Sequence, residues 1–372
     1  MVNKYSINDT QVYDEEAFMR VATLSVNDKR QRTIAKSLDH RFVDRRVFNS
    51  ITSSNNLINE IYLNMDLDHL RAFSDDTGLF DSYVNSYSSF LTAGALNVLF
   101  INLKVGTNQL TSEDITCLNH ILTWLKNDVY VMPTLQFDGI DRRAEMDMYS
   151  AFVKDMIECK NSMVPGNLNL GINVPSYYRY KDLDKLFKLY DVENTEPTFI
   201  TVDFNRAGID DTKRMGVVNT INRHFMEEGV EDYFLYGLNV RNYKKRQVNP
   251  VSDEMMIARS GFNAVGAPHY DPVKRVIPPT TKLIQLGVVF NRDDYCFHPL
   301  TEKQQMDRFL EWSSDLCYEF DIEGDLRTEA PKIRPVMKKY NLCMENQEFF
   351  DLSTAIRKSD SDVIKEKLKK GV

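Results

Sequence analysis

The residues of this chain best suited to chemistry are acids and amides that fall at the ends of short apolar runs. Asp203 comes late in Phe199-Ile200-Thr201-Val202-Asp203, where an inward carboxylate is unfavourable unless it is paired or functional. Asp138 stands in Gln136-Phe137-Asp138-Gly139, where the glycine would let backbone approach a ligand. Two carboxyl groups in different environments are what acid–base or nucleophilic chemistry requires. His269, in Ala267-Pro268-His269-Tyr270-Asp271, adds a candidate general acid or base. Each has a plainer reading: Asp203 as an outward acid paired with Arg206, Asp138 as an ordinary turn, His269 as a structural side chain beside a proline.

Asparagine recurs at the same kind of place: Asn102 after Ile101, Asn173 after Ile172, Asn205 after Phe204, Asn239 after Leu238, Asn263 after Phe262. Converging amides would hydrogen-bond a nucleobase, a sugar or a phosphate ester. Asparagine is also favoured wherever a chain turns out of a strand, because it tolerates left-handed backbone and caps the next helix. Lys104 and Arg241 supply candidate ligand-binding cations, Arg241 for bidentate contact with a phosphate or carboxylate, with a surface salt bridge as its default.

The elements that must position these residues alternate. Apolar runs at Ile58–Met65, Val98–Leu103, Val129–Met132, Leu168–Val174, Thr198–Phe204, Tyr233–Val240 and Gly261–Ala267 read as strands. Between them lie helical patterns, one opened by Thr111-Ser112-Glu113-Asp114 and carrying Ile115, Leu118, Leu122 and Leu125 on one face, others at Arg142–Lys160, Lys181–Tyr190, Asp211–Glu228 and Ser252–Arg259. Buried strands alternating with amphipathic helices imply parallel βαβ units and an α/β fold. Units in series with right-handed crossovers favour a (β/α)8-type barrel over an open doubly wound sheet. The barrel is expected over 58–298, incomplete unless Leu283–Phe290 gives the eighth strand. Residues 1–57 read as an N-terminal extension with one or two helices, and 299–372 as a C-terminal helical region. In a barrel the named acids, amides and cations gather at the C-terminal ends of the strands, where such folds place their chemistry.

Composition narrows the rest. No run approaches a membrane span, and the N-terminus lacks a secretory apolar segment. Cys117, Cys159, Cys296, Cys317 and Cys343 are scattered, without CxxC spacing, so neither a disulfide framework nor a cysteine zinc site is indicated and a cytoplasmic location is expected. Net charge is −8, which lacks the basic balance of non-specific nucleic-acid binders, although Lys29–Arg32, Arg41–Arg46, Lys244–Arg246 and Lys365–Lys370 are locally basic. Phosphate-loop, dinucleotide, nucleophile-elbow and zinc-protease templates are absent, and no cofactor is specified. Asp66-Leu67-Asp68-His69 is a weak metal pattern, and Asp75-Asp76-Thr77-Gly78 lacks the surroundings of an aspartic-protease motif.

Over about residues 95–270 the order of elements resembles the tRNA-guanine transglycosylase family. Phe137-Asp138-Gly139 is similar to its acidic base-contacting turn, Leu168–Val174 with Tyr180-Lys181-Asp182-Leu183 to its next strand and helix, and Ala258-Arg259-Ser260-Gly261-Phe262 to a later helix end and strand. The resemblance implies a barrel that exchanges a base in nucleic acid. The chain departs from it where the family's aspartates would stand beside Lys104-Val105-Gly106 and near Gly266-Ala267, and in lacking a zinc cysteine cluster. Those departures imply an altered mechanism or a loss of catalysis. Two functions therefore stand: a barrel enzyme acting on a nucleobase-, nucleotide- or sugar-like substrate, and a non-catalytic binding or assembly protein on the same scaffold. Expected partners are a small polar ligand or nucleic acid, or further copies of the chain.

Overall fold

The computed structural model describes residues 5–14, 19–26, 28–39, 57–163, 170–190, 198–230, 232–244, 249–266, 268–269, 286–320 and 326–371. Eight positions around a closed parallel barrel are filled in chain order. They are β4 (Ala35–Asp39), β5 (Ile58–Asp66), β6 (Leu96–Gly106), β7 (Val129–Val131) continued by β8 (Thr134–Phe137), β9 (Leu170–Val174), β10 (Thr198–Asp203), β11 (Tyr233–Leu238) and β12 (Ala264–Val265). β12 pairs with β4, and β4 with β5, which closes the ring. Helices follow the strands: α1 (Leu67–Asp75) and α2 (Thr77–Tyr87), α3 (Ser112–Trp124), α4 (Arg142–Met163), α5 (Leu183–Tyr190), α6 (Thr212–Glu227) and α7 (Asp253–Ala258). The signal before α3 works as read: Thr111 accepts from the Asp114 N–H, and the Asp114 carboxylate accepts from the Thr111 N–H.

Among the described residues of the N-terminal 57 there are strands and no helix, and residues 40–56 lie outside the description. β1 (Tyr5–Asp14), β2 (Met19–Val26) and β3 (Lys29–Arg32) form an antiparallel sheet, and β4 is the barrel's own first strand. Tyr5, Ile7, Ala22, Leu24 and Val26 pack with Ile58, Leu96, Val129, Phe199 and Ala264, so this sheet plugs the end where the strands begin. The proposed eighth strand is corrected. β13 (Val288–Phe290) pairs antiparallel with β14 (Phe297–Pro299) outside the barrel, and Leu283 to Gln285 lie outside the described residues. The Arg41–Arg46 cluster and the Pro278-Pro279 link lie outside them too.

Alternation along each strand divides two cores. Inward residues such as Ile58, Val98, Phe100, Val131, Phe199 and Tyr236 fill the lower barrel, while their neighbours pack outward against the helices. The C-terminal region adds α8 (Lys303–Asp315), α9 (Leu326–Arg357) and α10 (Ser361–Lys369). α9 lies against β4, where Asn346 donates to the Lys36 carbonyl and Ser353 to the Thr33 carbonyl. Among the described residues no helix is long and apolar enough to cross a membrane.

Candidate active site

Apolar filling stops partway up the barrel. At the level of Ser37, Glu60 and Tyr236 the interior turns polar, and above it a cavity of about 420 Å³ opens at the strands' C-terminal ends. Asp203, Asn239 and His269 line it, with Asn102, Gln136 and Asn64 on one wall and Glu145, Ser176 and Tyr177 on another.

Asn239 organises the floor. Its amide Nδ2 donates to Asp203 Oδ1 at 3.0 Å, and its Oδ1 accepts from the His269 N–H at 3.0 Å. The Asn205 N–H also donates to Asp203 Oδ1, at 2.8 Å. Both bonds fall on one carboxylate oxygen, which leaves Oδ2 for the cavity. Asn205, Arg206 and Asn239 all have positive φ, a cluster of unfavourable backbone of the kind that accompanies functional sites. Burial pushes the Asp203 pKa up, and these N–H donors oppose it only partly.

Beneath the floor His269 is held from every side. Nε2 bonds Glu60 Oε1, Nδ1 lies 3.6 Å from Asp39 Oδ2, and the ring stacks on Tyr62 with centroids 4.1 Å apart. Arg206 donates to its carbonyl at 3.2 Å. Glu60 is fully buried and also accepts from the hydroxyls of Tyr236 and of Ser37, the latter at 2.9 Å. Tyr236 is pushed well above its ordinary pKa, first by burial and then by the Glu60 charge, so its hydroxyl remains a donor. Gly266 makes room for this arrangement: an added Cβ would sit 2.0 Å from Glu60 Oε2. His269 thus lines the cavity with both ring nitrogens facing carboxylates.

The opposite wall carries a second acid. Glu145, in the first turn of α4, has its pKa raised chiefly by burial. Tyr177 stands within electrostatic reach of both Glu145 and Asp203, and its buried hydroxyl has no partner among the described residues. Near the rim, Asn102 Nδ2 reaches Asn64 Oδ1 at 2.8 Å and Gln136 Oε1 at 3.2 Å, so three adjacent strands present a band of amides.

The structure therefore brings together Asn102, Asp203, Asn205, Asn239 and His269. Asn173 lies buried just behind, donating to Thr134 Oγ1 at 2.6 Å, and its own Oδ1 has no partner among the described residues. Lys104 is half-buried two residues beyond Asn102 and is not part of the lining, and Asp138 is exposed on the turn paired with Gly106. Arg241 is taken up by Asp210 at 2.7 Å and Asp253 at 2.6 Å, away from the cavity. Asn263 sits low in the barrel, bonded to the Leu235 N–H and to Thr33. Asp66 and Asp76 are helix caps. Among the described residues no three His, Cys, Asp or Glu side chains form a metal-binding group.

Sequence reasoning missed Glu60, Asp39, Tyr62, Glu145 and Tyr177. A signal existed for Glu145, since the first turn of a helix that follows a barrel strand lies at the active rim.

No family model and no curated protein matches this chain. Solved structures do match, among them an apo structure of a beta-glucosidase 1317, with a TM-score of 0.34 at 9% identity over 62% of this chain and 77% of that one. What the cavity does is read from its own side chains.

Proposed function

We propose that this barrel is an enzyme acting at a glycosidic bond of an uncharged sugar- or nucleoside-like substrate, with Asp203 and Glu145 as its two reacting carboxyl groups. The observation that carries the reading is that Asp203, whose Oδ2 has no hydrogen-bond partner among the described residues, and Glu145 both line one open polar cavity. Protonated Glu145 gives its proton to the leaving oxygen or nitrogen as the bond to the anomeric carbon breaks. Asp203 Oδ2, ionised, attacks or stabilises that carbon, and water or an acceptor completes transfer. Tyr177 and the Asn64–Asn102–Gln136 band offer hydrogen bonds to hydroxyls or a base edge, and the uncharged character of that band suits a neutral ligand. His269, Asn239 and Glu60 hold Asp203 in place. Base exchange, as in the transglycosylases, is one member of this reaction class. Asp138, which the resemblance would place on the base, stands outside the cavity lining, so any base contact falls to the amide band.

The test is a panel of chromogenic glycosides and nucleosides assayed with wild type, Asp203→Asn and Glu145→Gln. Turnover by wild type that falls by about 10³-fold or more in Asp203→Asn supports the reading. Ligand binding by NMR without turnover, unchanged in both variants, supports the non-catalytic scaffold instead.

A further inference from the structure

A second cavity, of about 380 Å³, lies where the β13–β14 turn meets α8, α9 and α10. Its size falls among small-molecule sites. Four cations line it, Arg292, Arg308, Lys367 and Lys370, against two acids, Asp293 and Glu348. With Asp351, which pairs with Arg292 from outside the lining, the balance is still positive by one, in a chain of net charge −8. The C-terminal basic run therefore has a structural address: Lys367 and Lys370 face a lined cavity.

The cations are held in place. Arg292 bonds Glu348 at 3.0 Å and also Asp351, and Lys367 bonds Glu348. Arg308 spans Asp293 at 2.9 Å and the neutral Asn291 amide at 3.0 Å. Lys370 differs: its ammonium meets the Arg292 carbonyl at 3.0 Å and the face of Tyr295 at 5.3 Å, with no carboxylate partner among the described residues. Arg259 fixes the helix end that carries it, donating to the carbonyls of Lys367, Leu368 and Lys370. Ordering these side chains in advance removes part of the entropic cost of binding an anion.

Aromatic surface lines the same cavity. Trp312, half-buried, and Tyr340 meet edge to face with centroids 5.3 Å apart. Cations that can grip phosphate beside rings that can stack on a base are the combination that holds a nucleotide unit.

We propose that this cavity binds a nucleoside phosphate, with the phosphate on Arg308 and Lys370 and the base against Trp312 and Tyr340. The proposal is independent of the barrel reading. The ligand chemistry is shared by a free nucleotide and by one unit of a single-stranded nucleic acid.

The protein has two tryptophans, and Trp124 is exposed on α3, so Trp124→Phe leaves Trp312 as the sole indole reporter. Its fluorescence is titrated with thymidine monophosphate, an oligothymidylate and inorganic phosphate. Quenching by the first two, displaced by phosphate, is the expected result. Lys370→Gln, which disturbs no ion pair among the described residues, should weaken binding roughly tenfold, and Arg308→Gln in addition should weaken it further. Tighter, salt-dependent binding of the oligomer identifies the polymer as the source; equal affinity identifies the free nucleotide. No quenching at millimolar ligand, or quenching that Lys370→Gln and the double variant leave unchanged, overturns the proposal. Asp203→Asn should not alter this titration, which separates it from the barrel reading.

Discussion

Burial raises the Asp203 pKa, so the folded protein holds that proton more tightly than the unfolded chain does. The stabilising contribution of the group is complete below the unfolded pKa and is lost as pH rises through the folded one. At neutral pH the buried anion is therefore a net burden on stability. Asp203→Asn keeps an oxygen acceptor for Asn205 and Asn239, and it should raise Tm at pH 7 while leaving Tm near pH 3 unchanged. Calorimetry at the two pH values checks this; an equal drop at both would make the carboxylate structural. Gly266→Ala tests the layer below. Its methyl displaces Glu60, so we expect a loss of about 1–3 kcal/mol by urea denaturation, with weaker ligand binding through His269. Asp203, Asn239 and His269 were legible because each ends an apolar run. Glu60 was not: in Ile58-Asn59-Glu60-Ile61 a single acid among apolar residues looks like the wet face of a strand. Only the closed ring turns that face inward.

The strand that closes the ring is the element the sequence hid most completely. Every residue of Ala35-Lys36-Ser37-Leu38-Asp39 is buried, although two are charged and one is a hydroxyl. Lys36 points outward into the helix layer and pairs with both Glu254 and Glu345, while Ser252 donates to Glu345 at 3.0 Å. Ser37 and Asp39 belong to the polar interior. Hydropathy scores such a segment as surface, because its charges find partners far away in sequence. β5, β6, β7, β9, β10, β11 and β12 were legible because apolar residues dominate each run; β8, with Thr134 and Gln136, was not read as a strand. One ammonium faces two carboxylates here, and burial, aided by the Glu345 charge, pushes the Glu254 pKa up. Lys36→Met leaves those acids uncompensated and should lower stability by roughly 3–5 kcal/mol at neutral pH, measured by urea denaturation. In wild type the raised Glu254 pKa means a stabilising contribution that is full below the unfolded value and is lost as pH climbs through the folded one.

For the whole molecule, the C-terminal helices belong to the barrel's wall. α9 supplies Glu345 to Lys36, Asn346 and Ser353 to backbone carbonyls next to β4, and Arg357 to the Ala22 carbonyl at 2.8 Å in the lower sheet. Truncation before residue 326 should therefore yield a chain that fails to give a cooperative thermal transition, whereas Trp124→Phe on the outer surface should unfold as wild type does. The region reads as helical in the sequence, but its place does not, because nothing local records that its partner is the first barrel strand.

That partnership has a consequence in time. A ribosome that has made β4 must still add about 318 residues before α9 is complete, and at roughly 5–20 residues per second this takes about 16–64 s. β12 is made only after about 226 of those residues and Glu345 after about 306, so β4 waits first for its edge partner and then for the second carboxylate that faces Lys36. Until β12 is made the emerging strands are an open sheet with β4 as a bare edge; β12 then closes the ring, and α9 covers its outer wall only afterwards.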